Sequence, residues 1–365
     1  MGWCENVDHD WQTPVTLLTA VVGAGKSAVA HTIAHHCDEH GILLSSFFFR
    51  AGKTTSPKYL WSGVASSLAT KSKPYRQMLT SIIEDDPTAA TAPFDEQFRK
   101  FILKPLRHMP PLSDRPLVIV IDGFDECDDS ASETLAKLLR DYVSELPRWV
   151  KFFVTSRPGR VVDHYFHGPS IHHMNIELSD DNNLRDCESY IGAQISELKA
   201  LPWVIPPDWP PNLQDMLVKH ARGLFVWVSV VMTYLRTKSR NPVIALEDLL
   251  DEDTSRDNVP AEKQLDALCT AVFSKCNWED KAFKYNYPIV LGAIVAAKSP
   301  LSIMAWEALL GPLLFPTTSV QETISELRPL FMGMNERSTP IQLLHQSVRD
   351  YLKWRYWGTD YIGAI

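Results

Sequence analysis

The chain has no apolar run long enough to cross a bilayer. Its longest, residues 224–228 with an extension to 235 and residues 289–297, fall short of the ~20 residues that a spanning helix needs. Cysteine is scarce, too. The six cysteines (Cys4, Cys37, Cys127, Cys187, Cys269 and Cys276) contain no C-x-x-C pair, which excludes a disulfide scaffold and fits a reducing compartment. An excess of positive charge is also missing. Lys plus Arg number 36 against 44 Asp plus Glu, a net charge of −8, so no global field draws the chain to nucleic acid or anionic lipid. The first ten residues are polar and acidic, without the basic start and apolar stretch of a secretory signal. No repeat or low-complexity tract is visible. The expectation is a soluble, cytoplasmic protein with no membrane span, for which nucleic acid is a disfavoured partner.

What is present is an ordinary globular composition, 45% hydrophobic and 22% charged over 365 residues, enough for two or three domains. The first half alternates short apolar runs with amphipathic stretches, the pattern of a parallel sheet covered by helices on both faces. Strands are predicted at 15–20, 43–49, 117–121 and 151–155, with a weaker one at 172–178. Val118, Ile119, Val120 and Ile121 are continuously apolar and β-branched, which places that strand in the sheet centre. Helices are predicted at 26–39, 57–71, 75–84, 94–108 and 131–145. Beyond about residue 178 the strand signals fade. Helices are expected at 183–198 and 212–237, separated by a connector with five prolines between 201 and 211, and an acidic joint at 248–257 precedes a helix at 262–276. The last hundred residues read as helices 288–297, 302–310 and 319–328, short strands 330–334 and 341–344, and a final helix. Three helices followed by a hairpin suggest a winged helix. The fold expected is α/β: a P-loop NTPase parallel sheet with helices on both faces (1–178), then a helical domain (179–260) and a winged-helix domain (261–365).

The sharpest local signal is Gly23-Ala24-Gly25-Lys26-Ser27-Ala28 between an apolar strand and an amphipathic helix, the context that a phosphate-binding loop requires. Glycines let backbone N–H groups turn toward phosphate oxygens, and the helix opening at Lys26 adds its positive end. Lys26 supplies a point charge to the β and γ phosphates, and Ser27 offers a hydroxyl to Mg²⁺. Ala20 stands where the G-x-x-x-x-G-K-S pattern has its first glycine. A second element follows the central strand, Asp122-Gly123-Phe124-Asp125-Glu126. Asp122 is the candidate carboxylate for a hydrated Mg²⁺, while Asp125 or Glu126 would orient or deprotonate an attacking water. Asp128 and Asp129 are read as caps of the next helix. Arg157 follows the strand at 151–155 and is expected at the sheet edge where ligands of open α/β folds bind, with a surface ion pair as the equal alternative.

With these motifs, with Ser46-Phe47-Phe48-Phe49-Arg50, Phe153-Val154-Thr155-Ser156-Arg157-Pro158, Ala221-Arg222-Gly223-Leu224-Phe225-Val226-Trp227 and Leu344-His345-Gln346-Ser347-Val348-Arg349-Asp350-Tyr351-Leu352, the chain resembles the NACHT family of STAND nucleotide-switch ATPases. The resemblance is strongest to the large fungal set of such NLR-like proteins. It implies that ATP or ADP binds with Mg²⁺, with GTP left open, and that Arg157 reads the γ-phosphate. It also implies that His345 contacts the β-phosphate of ADP. Gly223-Leu224-Phe225 matches the family's base-contacting region but has no proline. Family members carry an effector segment before this core and a repeat array after it, neither of which is seen in this sequence.

Three functions compete. A nucleotide-operated signalling switch, slowly hydrolysing ATP and self-associating or engaging a partner protein, would use all these residues. A winged-helix regulator of DNA needs basic residues on its reading helix, yet 319–328 carries Glu322 and Glu326 against Arg328. A degenerate scaffold without nucleotide chemistry rests on Ala20. The histidines His31, His35, His36 and His40 with Cys37 are read as packing and solvent exposure, and Arg99, Lys100, Lys104 and Arg107 as a solvated helical face.

Overall fold

Five parallel strands organise the first half of the chain in a computed structural model that describes residues 13–49, 57–107, 109–127, 129–201, 210–238, 246, 249, 260–297, 299–316 and 318–357. These residues pack as two compact units. The first takes in residues up to 21 and 25–176, and the second takes in 22–24 and 177 onward.

The first unit runs β1 (Val15–Ala20), α1 (Lys26–Glu39), β2 (Leu43–Phe48), α2 (Lys58–Lys71), α3 (Lys73–Asp85), α4 (Phe94–Gln97), a π-helical stretch Phe98–Leu103, α5 (Lys104–Leu106), β3 (Leu117–Asp122), α6 (Asp129–Tyr142), β4 (Val150–Ser156), α7 (Arg160–Tyr165) and β5 (Ile171–Ile176). The sheet order is β2-β3-β4-β1-β5, and every neighbouring pair is parallel. This is a parallel α/β sheet with helices packed on its faces. β3 is buried along its whole length, as its unbroken apolar run requires.

Alternation of side chains along the strands divides the core between two faces. Leu17, Ile119, Ile121, Phe152 and Val154 pack with Leu60, Trp61 and Leu68 of α2 and Leu135 and Leu139 of α6. Leu18, Val118, Val120 and Phe153 pack with Ala30, Ala34 and Cys37 of α1. The small residues of α1 let that helix approach the sheet closely, and they leave it weakly amphipathic in sequence. The helix predicted at 94–108 is instead interrupted by the π-helical stretch, which turns Phe98, Phe101 and Ile102 into the core. Its basic face is tied down by acids: Lys100 pairs with Asp86 at 2.7 Å and Glu96 at 2.6 Å, and Arg107 pairs with Glu145.

The second unit contains α8 (Asp181–Lys199), α9 (Leu213–Ala221), α10 (Phe225–Lys238), α11 (Ala261–Ser274), α12 (Lys281–Ala296), α13 (Ile303–Leu310), α14 (Val320–Ser325), an antiparallel pair β6 (Phe331–Met332) and β7 (Gln342–Leu343), and α15 (Gln346–Trp357). Most of the proline connector and acidic joint lies outside the described residues. The single helix expected at 212–237 is two. Arg222 and Gly223 adopt left-handed backbone, with φ of 48° and 78°, and this breaks the helix despite the continuous apolar pattern. The buried Asn183 closes the break by donating from Nδ2 to the carbonyls of Leu178 at 3.0 Å and Gly223 at 3.1 Å. A Cβ on Gly223 would lie 2.3 Å from that amide nitrogen, so only glycine fits.

Pro288 also misleads. It reads as a helix start, yet α12 begins seven residues earlier, where the Asp280 side chain accepts from Ala282 N–H at 2.8 Å. Proline sits inside this helix and forgoes one ladder bond. Helix 319–328 ends sooner than expected, as α14, and opens with a capping box between Ser319 and Glu322, the signature of that pair of residue types. No helix among the described residues is long and apolar enough to cross a membrane.

Candidate nucleotide site

Three neighbouring strands, β1, β4 and β3, end at the carboxyl edge of the sheet, where open α/β folds bind ligands. From β1 the chain enters the loop that leads to α1. Gly23 and Gly25 take the left-handed backbone (φ 76° and 93°), and no side chain caps the N-terminus of α1. The first helical N–H groups are therefore available to an anion. Among described residues Arg222 is the one non-glycine with positive φ, so Ala20 sits in ordinary strand backbone. It is 1% exposed, and the loop makes its turns without a glycine there. Gly23 belongs to the second unit by its packing. Its carbonyl accepts from Val226 N–H at 3.3 Å, and a Cβ there would come within 2.2 Å of Val226 Cγ1.

Lys26 folds back over the loop. Its Nζ donates to the carbonyls of Ala20 at 2.9 Å and Val21 at 3.0 Å. Burial lowers its pKa from the ordinary lysine value; Asp125, then Asp122 and Glu126, act in the opposite direction, while Arg157 reinforces the lowering. A partly desolvated ammonium ringed by carboxylates and one guanidinium is a strong local field, the kind of perturbed group that marks functional clefts. Ser27 and Ala28, next on α1, are exposed.

From β3 the chain turns sharply. Asp122 is 4% exposed, and Gly123 takes φ 70°. A single 3-10 turn, Phe124–Glu126, follows. Phe49 N–H donates to Asp122 O at 2.9 Å, which brings the end of β2 so close that a Cβ on Gly123 would lie 2.9 Å from Phe49 O. From β4 comes Arg157. Its backbone N–H donates to Asp125 Oδ1 at 2.9 Å and its Nε to Asp125 Oδ2 at 2.6 Å. Both oxygens of Asp125 thus accept a hydrogen bond from Arg157. Glu126, like Asp125, is partly exposed.

The structure therefore brings Lys26, Asp122, Asp125, Glu126 and Arg157 together, with Ser27 beside Lys26 on α1. His345 lies in the second unit, just ahead of α15, where Nδ1 accepts from Ser347 N–H at 3.2 Å. The histidines of α1 are otherwise engaged: His31 stacks on Phe48, His35 pairs with Glu39 at 3.3 Å, and the rings of His36 and His40 touch. One residue escaped sequence reasoning. Thr155, wholly buried, donates from Oγ1 to Asp122 Oδ1 at 2.5 Å and accepts from Gly123 N–H at 3.0 Å. Its signal was a polar residue directly after the apolar run Phe152-Phe153-Val154 of a buried strand.

The donor set fits a magnesium nucleotide. Two left-handed glycines, an uncapped helix start and a desolvated ammonium suit phosphate oxygens. A hydroxyl and one carboxylate suit a cation that keeps several waters and takes its remaining ligands from phosphate.

The family model described as Nephrocystin 3, N-terminal, matches residues 3–157, the segment that carries all of these strand ends. No curated protein matches the chain. Solved structures resembling it include a Walker-type ATPase of Pyrococcus abyssi (TM-score 0.41, 13% identity, covering 93% of this chain and 91% of that one). Others are Cdc6p of Pyrobaculum aerophilum (0.38, 10%, 97% and 91%) and the Drosophila ORC bound to DNA (0.36, 13%, 96% and 91%). These scores are low, and the functional reading rests on the residues themselves.

Because Gly123 combines left-handed backbone with the close approach of Phe49 O, Gly123→Ala is expected to destabilise the protein by about 1–3 kcal/mol. Urea denaturation measures this, and a change below ~0.5 kcal/mol, the range of ordinary surface substitutions, would show that the turn is not constrained.

Proposed function

We propose that the chain is a nucleotide-operated switch of the NACHT/STAND class, binding ADP or ATP with Mg²⁺ in the cytoplasm and hydrolysing ATP slowly to reset. The observation that carries this reading is the convergence of Lys26, Asp122, Asp125, Glu126 and Arg157 at one edge of the sheet, around an ammonium that burial makes costly to keep charged. An ammonium that donates to the Ala20 and Val21 carbonyls can exchange them for the oxygens of a phosphate that arrives with a cation.

In this reading the backbone from Gly23 to Ala28 cradles the phosphates, and Lys26 leaves the carbonyls of Ala20 and Val21 to meet the β and γ oxygens. Ser27 and Asp122 hold Mg²⁺, which when bound neutralises phosphate charge. Glu126 positions the attacking water and draws its proton. Arg157 recognises a third phosphate through its planar fork, and Asp125 fixes where that fork starts. His345 enters the proposal on the family resemblance alone, as do GTP as an alternative nucleotide, self-association or a partner protein in the active state, and the division of residues 179–365 into helical and winged-helix parts.

Two outcomes check this. By calorimetry the wild type is expected to bind one ADP per chain with Mg²⁺ present, and Lys26→Ala to weaken that binding by about 100-fold or more, the loss expected from one or two charge-assisted hydrogen bonds at roughly 1.5–3 kcal/mol each. Equal affinity in the mutant would leave a scaffold without nucleotide chemistry. Asp125→Asn, which loosens Arg157, is expected to weaken ATP by about 5–10-fold while sparing ADP. Equal losses for both nucleotides would remove Arg157 from the reading of the third phosphate.

A further inference from the structure

The hydroxyl of Thr155 has a fixed direction. Its oxygen takes the N–H of Gly123 at 3.0 Å, so its proton goes to Asp122 Oδ1, 2.5 Å away. The residue is 0% exposed. β3 and β4 are already joined by their ladder, in register through Ile121 and Val154, and the next residues along are Asp122 and Thr155. A strand buried this completely would gain more from valine, which is nearly the same shape and carries no hydroxyl to desolvate.

We propose that Thr155 is a positioning residue for the metal-facing carboxylate. By occupying Oδ1 it holds the Asp122 side chain in one rotamer and leaves Oδ2 as the oxygen presented to a hydrated cation. It also ties that carboxylate to the Gly123 turn, so the carboxylate and the turn that leads to Asp125 and Glu126 are set by a single hydroxyl. Outer partners of this kind orient metal ligands and tune their affinity. The inference rests on the nucleotide reading above, because it assigns Asp122 to a cation that arrives with the nucleotide.

The test uses the full chain and a fluorescent ADP analogue, titrated with Mg²⁺ and, separately, in excess EDTA. Thr155→Val is expected to raise the Mg²⁺ concentration for half-maximal tight binding by about 10-fold or more, with nucleotide affinity in EDTA unchanged. Thr155→Ser, which keeps the hydroxyl, is expected to restore the wild-type midpoint. Should Thr155→Val not fold, Thr155→Cys, similar in size and a weak donor, is expected to fall between the two. In an Asp122→Asn background the Thr155 change is expected to add nothing, since it acts through that carboxylate. A wild-type midpoint in Thr155→Val, an equal loss in EDTA, or a full further loss on top of Asp122→Asn would overturn the assignment while leaving nucleotide binding intact. Absence of any Mg²⁺-dependent binding in the wild type would overturn the functional reading and this inference with it.

Discussion

A lysine ammonium held between two strand-end carbonyls, close to three carboxylates and one guanidinium, is the constraint around which the first unit is arranged. Desolvation works against its charge, and the acids nearby offset only part of that. Counting formal charges, Lys26 and Arg157 stand against Asp122, Asp125 and Glu126, 2 − 3 = −1. That balance is poor for phosphate alone and good for phosphate accompanied by a divalent cation. The sheet order makes the arrangement possible: β4 lies between β1 and β3, so Thr155 and Arg157 lie between the loop after β1 and the acidic turn.

Much of this was legible in the sequence, for physical reasons. The unbroken apolar run of β3 signals a doubly covered strand, and Gly23 and Gly25 flag the left-handed turns before α1. Ala20 read as a defect because the pattern places glycine there, but the backbone at that residue is ordinary and the loop turns elsewhere. The carboxylate pattern after β3 located the acidic turn yet could not divide its roles. The pairing of Asp125 depends on Arg157, thirty-two residues later, whose two hydrogen bonds to it are a consequence of strand order, and strand order is not written in local propensity. Thr155 was hidden for the same reason: its partner lies on a different strand.

In the second unit the misreadings come from weighing hydrophobic periodicity against single punctuating residues. The apolar pattern across Arg222 and Gly223 continues without a break, while the backbone reverses and Asn183 holds it there. Pro288 produced the opposite error, punctuation taken as a boundary where Asp280 had already started the helix. The break before α10 has a consequence for the loop, because it frees Val226 N–H to donate to the Gly23 carbonyl.

The most direct measurement is the nucleotide released when freshly purified protein is denatured, identified and quantified by ion-exchange chromatography. The account predicts ADP, at up to one per chain, and Mg²⁺-dependent uptake of ADP by any protein recovered empty. A chain that carries no nucleotide and takes up neither ADP nor ATP with Mg²⁺ present would contradict it.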